Sequence, residues 1–290
     1  MNTAMRFAFL AGLVVIALTH FNEQSHGMNT PGGTPEGESP DSSDVSLTVV
    51  YDNNPLVAGL QTAWGFACVV DVGGSRLLFD TGGDGQMLLN NMAQLGISPG
   101  TIDEVVISHV HLDHLGGLND FLQKNSRVTV RVPKTFPPRV CRDIQSAGAK
   151  LILAEPNAQL DPRVSTLGLF EGSIPEQALA VRTGRGLVIM TGCAHPGIVN
   201  IVRKAQSVFG NVPIYLVLGG FHLGSARRAD ILEVVRSLKE LGVQKVAPCH
   251  CSGDMTRSLF KEAYGENFIE MGVGGKIDIP SVGGGGIKNH

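Results

Sequence analysis

The stretch His109-Val110-His111-Leu112-Asp113-His114 contains four potential metal ligands and directly follows the apolar run Val105-Val106-Ile107. Imidazole is a good ligand for zinc and neighbouring transition metals, and a carboxylate adds negative charge and an oxygen ligand. In extended backbone His111 points to the same side as His109, because side chains alternate along a strand. These two residues can bind one metal. Asp113 and His114, beyond a bend, can bind a second metal close by.

The other histidines support a metal site. Of the nine in the chain, His20, His26 and His290 lie near the ends. Three more follow short apolar runs rich in β-branched residues, which predict buried strands; they are His195, His222 and His250. Ligand sites in α/β proteins form at the carboxyl ends of strands, so these side chains are expected to converge on the cluster. A solvated loop that binds nothing is the alternative, and it does not explain their shared placement.

The pattern of these residues resembles the metallo-β-lactamase superfamily. The residues that carry the resemblance are the cluster His109-x-His111-x-Asp113-His114, the later His195 and His250, and Asp80 in Leu77-Leu78-Phe79-Asp80-Thr81-Gly82. The resemblance extends from about residue 47 to residue 279. It implies an α/β protein with an αββα sandwich, in which two mixed sheets carry helices on their outer faces and the site lies along one edge.

Three later segments are similar to one branch of that superfamily, the dihydropterin-type group named 7,8-dihydropterin-6-methyl-4-(β-D-ribofuranosyl)aminobenzene 5′-phosphate synthase. They are residues 191–200, 219–223 and 247–253. Kinship of sequence does not fix the substrate, since one fold and one site can host many reactions.

The resemblance implies two divalent metal ions, with Zn²⁺ preferred and Mn²⁺ or Fe²⁺ as alternatives. The ligands that it implies for the first ion are His109, His111 and His195. Those for the second ion are Asp113, His114 and His250. Three protein ligands leave an open position on each ion, as in catalytic sites. Ions about 3.5–4 Å apart would lower the pKa of a shared water toward roughly 7, and the resulting hydroxide would be the nucleophile. Asp80 is expected to hydrogen-bond a ligand histidine and fix its tautomer.

One segment departs from the superfamily pattern. Many two-metal members carry an aspartate that bridges both ions, late in the chain, after a strand end that contains glycine. Here that stretch reads Gly219-Gly220-Phe221-His222 and has no carboxylate. His222 is expected to contact a metal or to face the substrate as a general acid or hydrogen-bond donor. With Asp113 it is our candidate catalytic residue; a histidine satisfied in the core is the alternative.

Composition limits the class of partner. The hydrophobic content of 43%, with only 6% aromatic residues, suits a core of aliphatic side chains, and the net charge is −3. Lysines and arginines are scattered, whereas nucleic-acid binding needs clustered cations, so no nucleic-acid partner is expected. We expect a small-molecule substrate with an anionic group. One candidate to bind the anion is the start of the helix that opens at Asp254 after Ser252-Gly253, and the other is the pair Arg227-Arg228. The alternatives, an ordinary capped helix for the first and a solvated helix face for the second, explain these residues equally well.

The amino terminus differs from the rest of the chain. Arg6 precedes an unbroken apolar run over residues 7–18, which suits a signal-peptide core and is short for a membrane span. We predict residues 1–20 as a signal peptide or membrane anchor, 21–45 as a disordered linker, 46–279 as the metallo-β-lactamase-like domain and 280–290 as a flexible tail. The protein is expected to be periplasmic or secreted, or anchored through its amino terminus, and cytoplasmic if translation starts at Met28.

Apolar periodicity predicts alternating strands and helices. Helices are expected near residues 86–95, 139–147, 197–209, 226–241 and 254–264, each followed by a glycine. Strands are expected near residues 46–50, 66–71, 76–80, 104–108, 127–132, 150–154, 178–183, 186–190, 213–218, 244–247, 267–271 and 276–279. The five cysteines match no disulfide framework. Cys249 and Cys251 flank His250, so they are either ligands or supports for the site, or small buried residues beside it.

Three functions fit these observations. The favoured one is a metal-dependent hydrolase of a phosphorylated or ester-type small molecule. The second is a synthase or transferase of the dihydropterin type, which would use the same metals without net hydrolysis. The third is a metal-binding protein without turnover, for which the missing aspartate is the argument.

Overall fold

Short apolar strands form two sheets in the computed structural model, which describes residues 45–154 and 157–280. The strands are β1 (Val45–Asp52), β2 (Phe66–Val72), β3 (Arg76–Phe79), β4 (Glu104–Val106), β5 (Thr129–Val132), β6 (Lys150–Leu153), β7 (Gln159–Asp161), β8 (Val164–Phe170), β9 (Glu176–Thr183), β10 (Gly186–Thr191), β11 (Ile214–Gly220), β12 (Lys245–Cys249) and β13 (Lys276–Ile279). The predicted signal peptide or anchor, the linker up to residue 44 and the tail from residue 281 lie outside the described residues.

The helices lie between these strands in the chain. They are α1 (Gly85–Gln94), α2 (Leu112–Leu115), α3 (Leu118–Lys124), α4 (Pro138–Ser146), α5 (Ile198–Phe209), α6 (Arg228–Glu240) and α7 (Asp254–Tyr264). Within the described residues, none of the helices combines the length and the apolar character that crossing a bilayer requires.

The strand order places the site-bearing strands side by side. One sheet has the order β13-β1-β2-β3-β4-β5-β6 and the other β12-β11-β10-β9-β8-β7. β3 and β4 run parallel, and so do β10, β11 and β12. Because parallel strands end at the same edge, the loops that follow them meet there.

Three apolar clusters fill the layers. One lies between the sheets and combines side chains of β1–β4 with those of β8–β12. A second packs α5, α6 and α7 on the outer face of the second sheet, and a third packs α1, α3 and α4 on the outer face of the first. Helix, sheet, sheet and helix layers follow in that order, so the predicted αββα sandwich is confirmed.

The structure corrects the secondary-structure prediction in three places. The strand expected at residues 267–271 is wrong: this segment makes a single bridge to β12, between Phe268 and Val246, because it then turns away to reach β1, where Val49 N donates to Gly275 O. The strands β7 and β8 were not expected. Neither were α2 and α3, which follow the histidine cluster where an extended loop and a bend were expected.

Truncating a core side chain between the sheets should destabilise the sandwich. Leu218 in β11 is fully buried there, so Leu218→Ala is expected to lower the free energy of unfolding by about 2–5 kcal/mol through lost burial and a residual cavity. Leu232 on α6 is 42% exposed, and Leu232→Ala should change it by less than about 0.5 kcal/mol. Urea unfolding at fixed metal content measures both variants. Equal effects would contradict the assigned core.

Candidate metal centre

The candidate ligands stand where strands end at one edge of the sandwich. Several of these strand ends force a non-glycine residue into the left-handed region, with φ of 61° at Asp80, 62° at Ala194, 53° at His222 and 47° at His250. These residues follow β3, β10, β11 and β12. Such backbone costs on the order of 1–3 kcal/mol per residue and persists only where the surroundings enforce it, most often at functional sites.

A single helical turn shapes the histidine cluster. His111 is the residue before α2, and its carbonyl accepts from the backbone N–H of His114 and of Leu115 at 3.1 Å. Asp113 and His114 therefore lie on α2. The turn directs the buried His114 ring inward and leaves Leu112 74% exposed.

Four side chains form one candidate ligand group, called here the first ligand group: Asp113, His114, Cys193 and His250, whose ligand atoms lie close together. Apart from Cys193, these are the ligands that the resemblance implied for the second ion. His114 Nε2 lies 3.2 Å from His250 Nε2 and 3.2 Å from Cys193 Sγ. The distance from Cys193 Sγ to His250 Nε2 is 3.4 Å. Asp113 Oδ2 lies 3.3 Å from His250 Nε2 and 3.6 Å from His114 Nε2.

These spacings fit a metal ion. Atoms bound at about 2.0–2.3 Å to a tetrahedral zinc lie roughly 3.3–3.7 Å from one another. The five measured separations fall at or close to that range. Two nitrogens, a sulfur and a carboxylate oxygen are also the donor types that zinc prefers.

A second group shares the same sulfur and consists of His109, Cys193 and His195. The His109 and His195 ring centroids are 4.7 Å apart. His111 adjoins this group, with its Nδ1 3.1 Å from His109 Nε2. The structure thus brings together all six residues implied as metal ligands, and it adds Cys193, which belongs to both groups.

Hydrogen bonds from outside fix the ring orientation of four histidines. Nδ1 of His114 lies 2.7 Å from Asp80 Oδ2, and Nδ1 of His109 lies 2.8 Å from Ser108 Oγ. Ser108 Oγ in turn donates to Asp80 Oδ2 at 2.7 Å. Asp80 therefore holds one histidine directly and another through Ser108. With Nδ1 engaged, each ring presents Nε2 to the centre.

Glu176 and Asn53 do the same for the other two rings. Glu176 Oε2 lies 2.8 Å from His195 Nδ1, and its carboxylate accepts from the backbone N–H groups of residues 193, 194 and 195, each at 2.9 Å. Asn53 Oδ1 accepts from His250 Nδ1 at 2.9 Å. The sequence alone does not predict a role for Glu176, Asn53 or Ser108. For Glu176 one signal is available, a carboxylate as the first residue of the apolar strand β9.

The two sheets are tied together beside the site. Gln177, the second residue of β9, donates from its backbone N–H to Ser108 O at 2.9 Å and from Nε2 to Ile107 O at 2.8 Å. The loop that leads into the histidine cluster is thereby held against the second sheet. Ligands from the two halves of the chain keep their spacing because of this contact.

Burial sets the protonation states of the site. It lowers the pKa of His109 and of His114 to about 3, so both rings are neutral and able to bind a metal. Burial also raises the pKa of Glu176, but the hydrogen bonds from His195 and the backbone outweigh it and lower the value to about 2. Burial raises the pKa of Asp80 to about 7, although His109 and the hydrogen bonds from Ser108 oppose the shift.

His222 lies at the rim of the site. It is exposed, its ring centroid is 4.5 Å from that of His195, and it forms a third group with Cys193 and Cys251. Interaction with Cys251 raises the pKa of His222. Cys251 Sγ donates to Cys193 O at 3.6 Å. Cys249, the other cysteine beside His250, is buried in the core between the sheets.

A pocket of about 470 Å³ opens beside these residues. His250, His222 and Cys251 line it. So does Trp64, which is 59% exposed and whose ring lies 4.9 Å from that of His250. The remaining lining residues are Asn53, Asn54, Gly224, Ser225, Gly253 and Asp254.

Only some of the residues expected to bind an anion line this pocket. Arg227 and Arg228 are absent from the lining of this pocket, all of which lies in the described part of the chain, and Arg227 is paired with Asp230 at 2.8 Å. Ser252 is buried, and its hydroxyl accepts from Phe221 N at 3.0 Å. Gly253 and Asp254, where α7 begins, do line the pocket.

Comparisons with known proteins identify the family of this chain. A family model described as the metallo-beta-lactamase superfamily matches residues 65–140. A protein of Methanocaldococcus jannaschii named 7,8-dihydropterin-6-methyl-4-(beta-D-ribofuranosyl)-aminobenzene-5′-phosphate synthase is 30% identical over 243 residues, covering 69% of this chain and 83% of the relative. The chain belongs to the metallo-β-lactamase superfamily.

Solved structures of the superfamily share the fold. A crystal structure titled Tm1679, a metal-dependent hydrolase of the beta-lactamase superfamily, has a TM-score of 0.69 at 28% identity and covers 82% of this chain and 100% of that one. The short form of human tRNase Z has a TM-score of 0.55 at 15% identity, covering 81% of this chain and 99% of its own. The second likeness concerns the fold alone.

Removing the imidazole of His109, in the second group, together with that of the adjoining His111 should abolish tight metal binding at that group. The double substitution His109→Ala and His111→Ala deletes two adjacent ligand atoms. We expect metal content after gel filtration, measured by elemental analysis, to fall to that of the first ligand group alone, which keeps its four ligands. Leu112→Ala, in the same segment but without a ligand atom, is the control and should keep its metal. Unchanged occupancy in the double variant would rule out this ligand assignment.

Glu176 should act on the metal through His195. Glu176→Gln keeps the shape but weakens the hold on Nδ1, and we expect metal affinity to fall about 10–100-fold, as for other residues that orient a ligand. Competition with a chromophoric chelator measures the affinity, and Glu171→Gln, outside the site, is the matched control. Wild-type affinity in Glu176→Gln would show that this carboxylate only shapes the loop.

Proposed function

We propose that this protein is a metal-dependent hydrolase that acts on a phosphorylated or ester-type small molecule. The observation that supports the proposal is the pocket, which opens directly onto His250 of the first ligand group and His222 at the rim. A bound substrate would therefore lie against His250 of the first ligand group and beside His222. In a protein that only stores a metal, these side chains would need no such access.

The residues proposed to hold two divalent ions are those of the two ligand groups, with His111 beside His109. Zinc is the preferred ion because of the nitrogen and sulfur donors, with Mn²⁺ or Fe²⁺ as alternatives. When bound, such ions supply Lewis acidity and activate water at neutral pH. The chain's own part is to hold the rings neutral and oriented, through Asp80, Glu176 and Asn53.

His222 is proposed to face the substrate. Its imidazole is exposed to the pocket and is held near Cys251, which favours the protonated ring by raising its pKa. A protonated imidazole can donate a hydrogen bond or a proton to a leaving oxygen. It can also meet part of the negative charge of a phosphate, which is useful where neither Lys nor Arg is among the lining residues that the structure describes.

A dihydropterin-type synthase or transferase is the second candidate. It is favoured by the name of the Methanocaldococcus jannaschii relative, at 30% identity. The same ligand groups and pocket would serve that reaction, but no solvent oxygen would enter the product. A metal-binding protein without turnover is the third, and it would bind ions yet transform no substrate.

We further propose that the protein is exported and that its partner is a small molecule rather than nucleic acid. The apolar run at residues 7–18 supports export. The net charge of −3 and the scattered cations support the absence of a nucleic-acid partner.

The test is a panel of phosphoester, lactone and thioester substrates with the zinc-, manganese- and iron-loaded full chain, run in ¹⁸O-labelled water. A hydrolase must place one labelled oxygen in a product. Turnover without label would establish the synthase or transferase alternative. Full metal loading without turnover of any substrate in the panel would contradict the hydrolase proposal.

His222→Ala should impair turnover while leaving the fold intact. We expect kcat to fall about 10²–10⁴-fold, the usual contribution of a general acid, with a small change in the free energy of unfolding because the ring is exposed. His222→Gln keeps a hydrogen-bond donor and should recover part of the loss. Full activity in His222→Ala would leave this histidine without a catalytic role.

A further inference from the structure

One sulfur atom belongs to both candidate ligand groups. In this chain the strand end at residues 219–222 offers no carboxylate, yet the two ligand groups lie side by side and share one atom, Cys193 Sγ. The same atom belongs to the third group, with His222 and Cys251. Each ligand group thus includes this one cysteine.

The distances around the Cys193 sulfur are those expected of a metal ligand. Cys193 Sγ lies 3.2 Å from His114 Nε2 and 3.4 Å from His250 Nε2, the spacing of atoms that share a tetrahedral ion. The ligand atoms of His109 and His195 also lie within 4.8 Å of it. The side chain is buried, so the site leaves it little freedom to turn away.

The backbone around Cys193 is locked in position. Its N–H donates to Glu176 Oε1 at 2.9 Å, and so does the N–H of Ala194. On the preceding residue, Gly192, a Cβ would overlap Ser108 Oγ, and on Gly220 of the next strand it would overlap Gly192 O. Close packing of these glycines brings the cysteine loop against the histidine cluster.

We propose that the Cys193 thiolate is a ligand shared by both metal ions, in place of the bridging aspartate common in two-metal members of the superfamily. The thiol releases its proton to solvent when the ions bind. A thiolate carries the single negative charge that the carboxylate would supply, and as a soft ligand it favours zinc over manganese. The inference rests on the metal binding within the proposed function, but not on the reaction.

Cys251 is the competing sulfur. Its Sγ donates to Cys193 O, 3.6 Å away. Among the candidate groups it belongs only to the one with Cys193 and His222. That group contains none of the four histidines whose Nδ1 accepts or donates a hydrogen bond outside the site. It is therefore assigned to the support of the cysteine loop. Because it is a buried cysteine next to Cys193, it provides a matched control.

The experiment is a cobalt titration of the metal-free full chain, followed by absorption and electron paramagnetic resonance spectra. We expect a near-ultraviolet sulfur-to-cobalt charge-transfer band that grows with the first and again with the second equivalent. In the dicobalt form, magnetic coupling through the shared sulfur should diminish the resonance signal. Cys193→Ser should lose the band, and Cys251→Ser should retain it.

Cys193→Asp should lose the band but still bind two ions, since it restores the carboxylate. Circular dichroism checks that each variant folds, and the wild-type spectra test the proposal without any variant. A wild type without the band, a band in folded Cys193→Ser, or a band that stops growing after one equivalent would overturn the shared ligand. The spectra report ligation whether or not a substrate is turned over, so a negative substrate panel would not affect this result.

Discussion

The hydrogen bonds at Nδ1 of four histidines are the constraint on which the site depends. Ser108, Asp80, Glu176 and Asn53 each engage one ring from outside. The opposite nitrogen, Nε2, is thereby aimed inward as a free electron pair. The buried ligand atoms of His114, His250 and Cys193 lie only 3.2–3.4 Å apart. With their lone pairs facing one another, these atoms stabilise each other little. A cation between them satisfies all of them at once.

The fold supports this arrangement at some local cost. Four strand ends at the site place non-glycine residues at positive φ, and the buried carboxylates of Asp80 and Glu176 lose hydration. The sandwich compensates through two layers of helices and a core between the sheets. The contact of Gln177 with Ser108 and Ile107 joins the sheets at the site, so that ligands far apart in sequence keep a fixed spacing.

Much of this could be predicted from the sequence, because strand and helix periodicity and the histidine motifs are local. The αββα sandwich, five of the helices and the convergence of the six implied ligands follow from such signals. Glu176 and Cys193 could not be assigned roles, because their importance comes from contacts across the two sheets. The strand expected at residues 267–271 failed for a similar reason: its apolar pattern is local, but the path of the chain back to β1 is not.

The most direct test of the central constraint is a long-range ¹H–¹⁵N correlation spectrum of zinc-loaded protein labelled at histidine. His109, His114, His195 and His250 should each carry their proton on Nδ1 and show the shift of a coordinated nitrogen at Nε2. His111, whose Nδ1 faces His109, should show the opposite tautomer. Protons on Nε2 of those four rings would mean that the outward hydrogen bonds do not orient the ligands, and would contradict the metal centre described above.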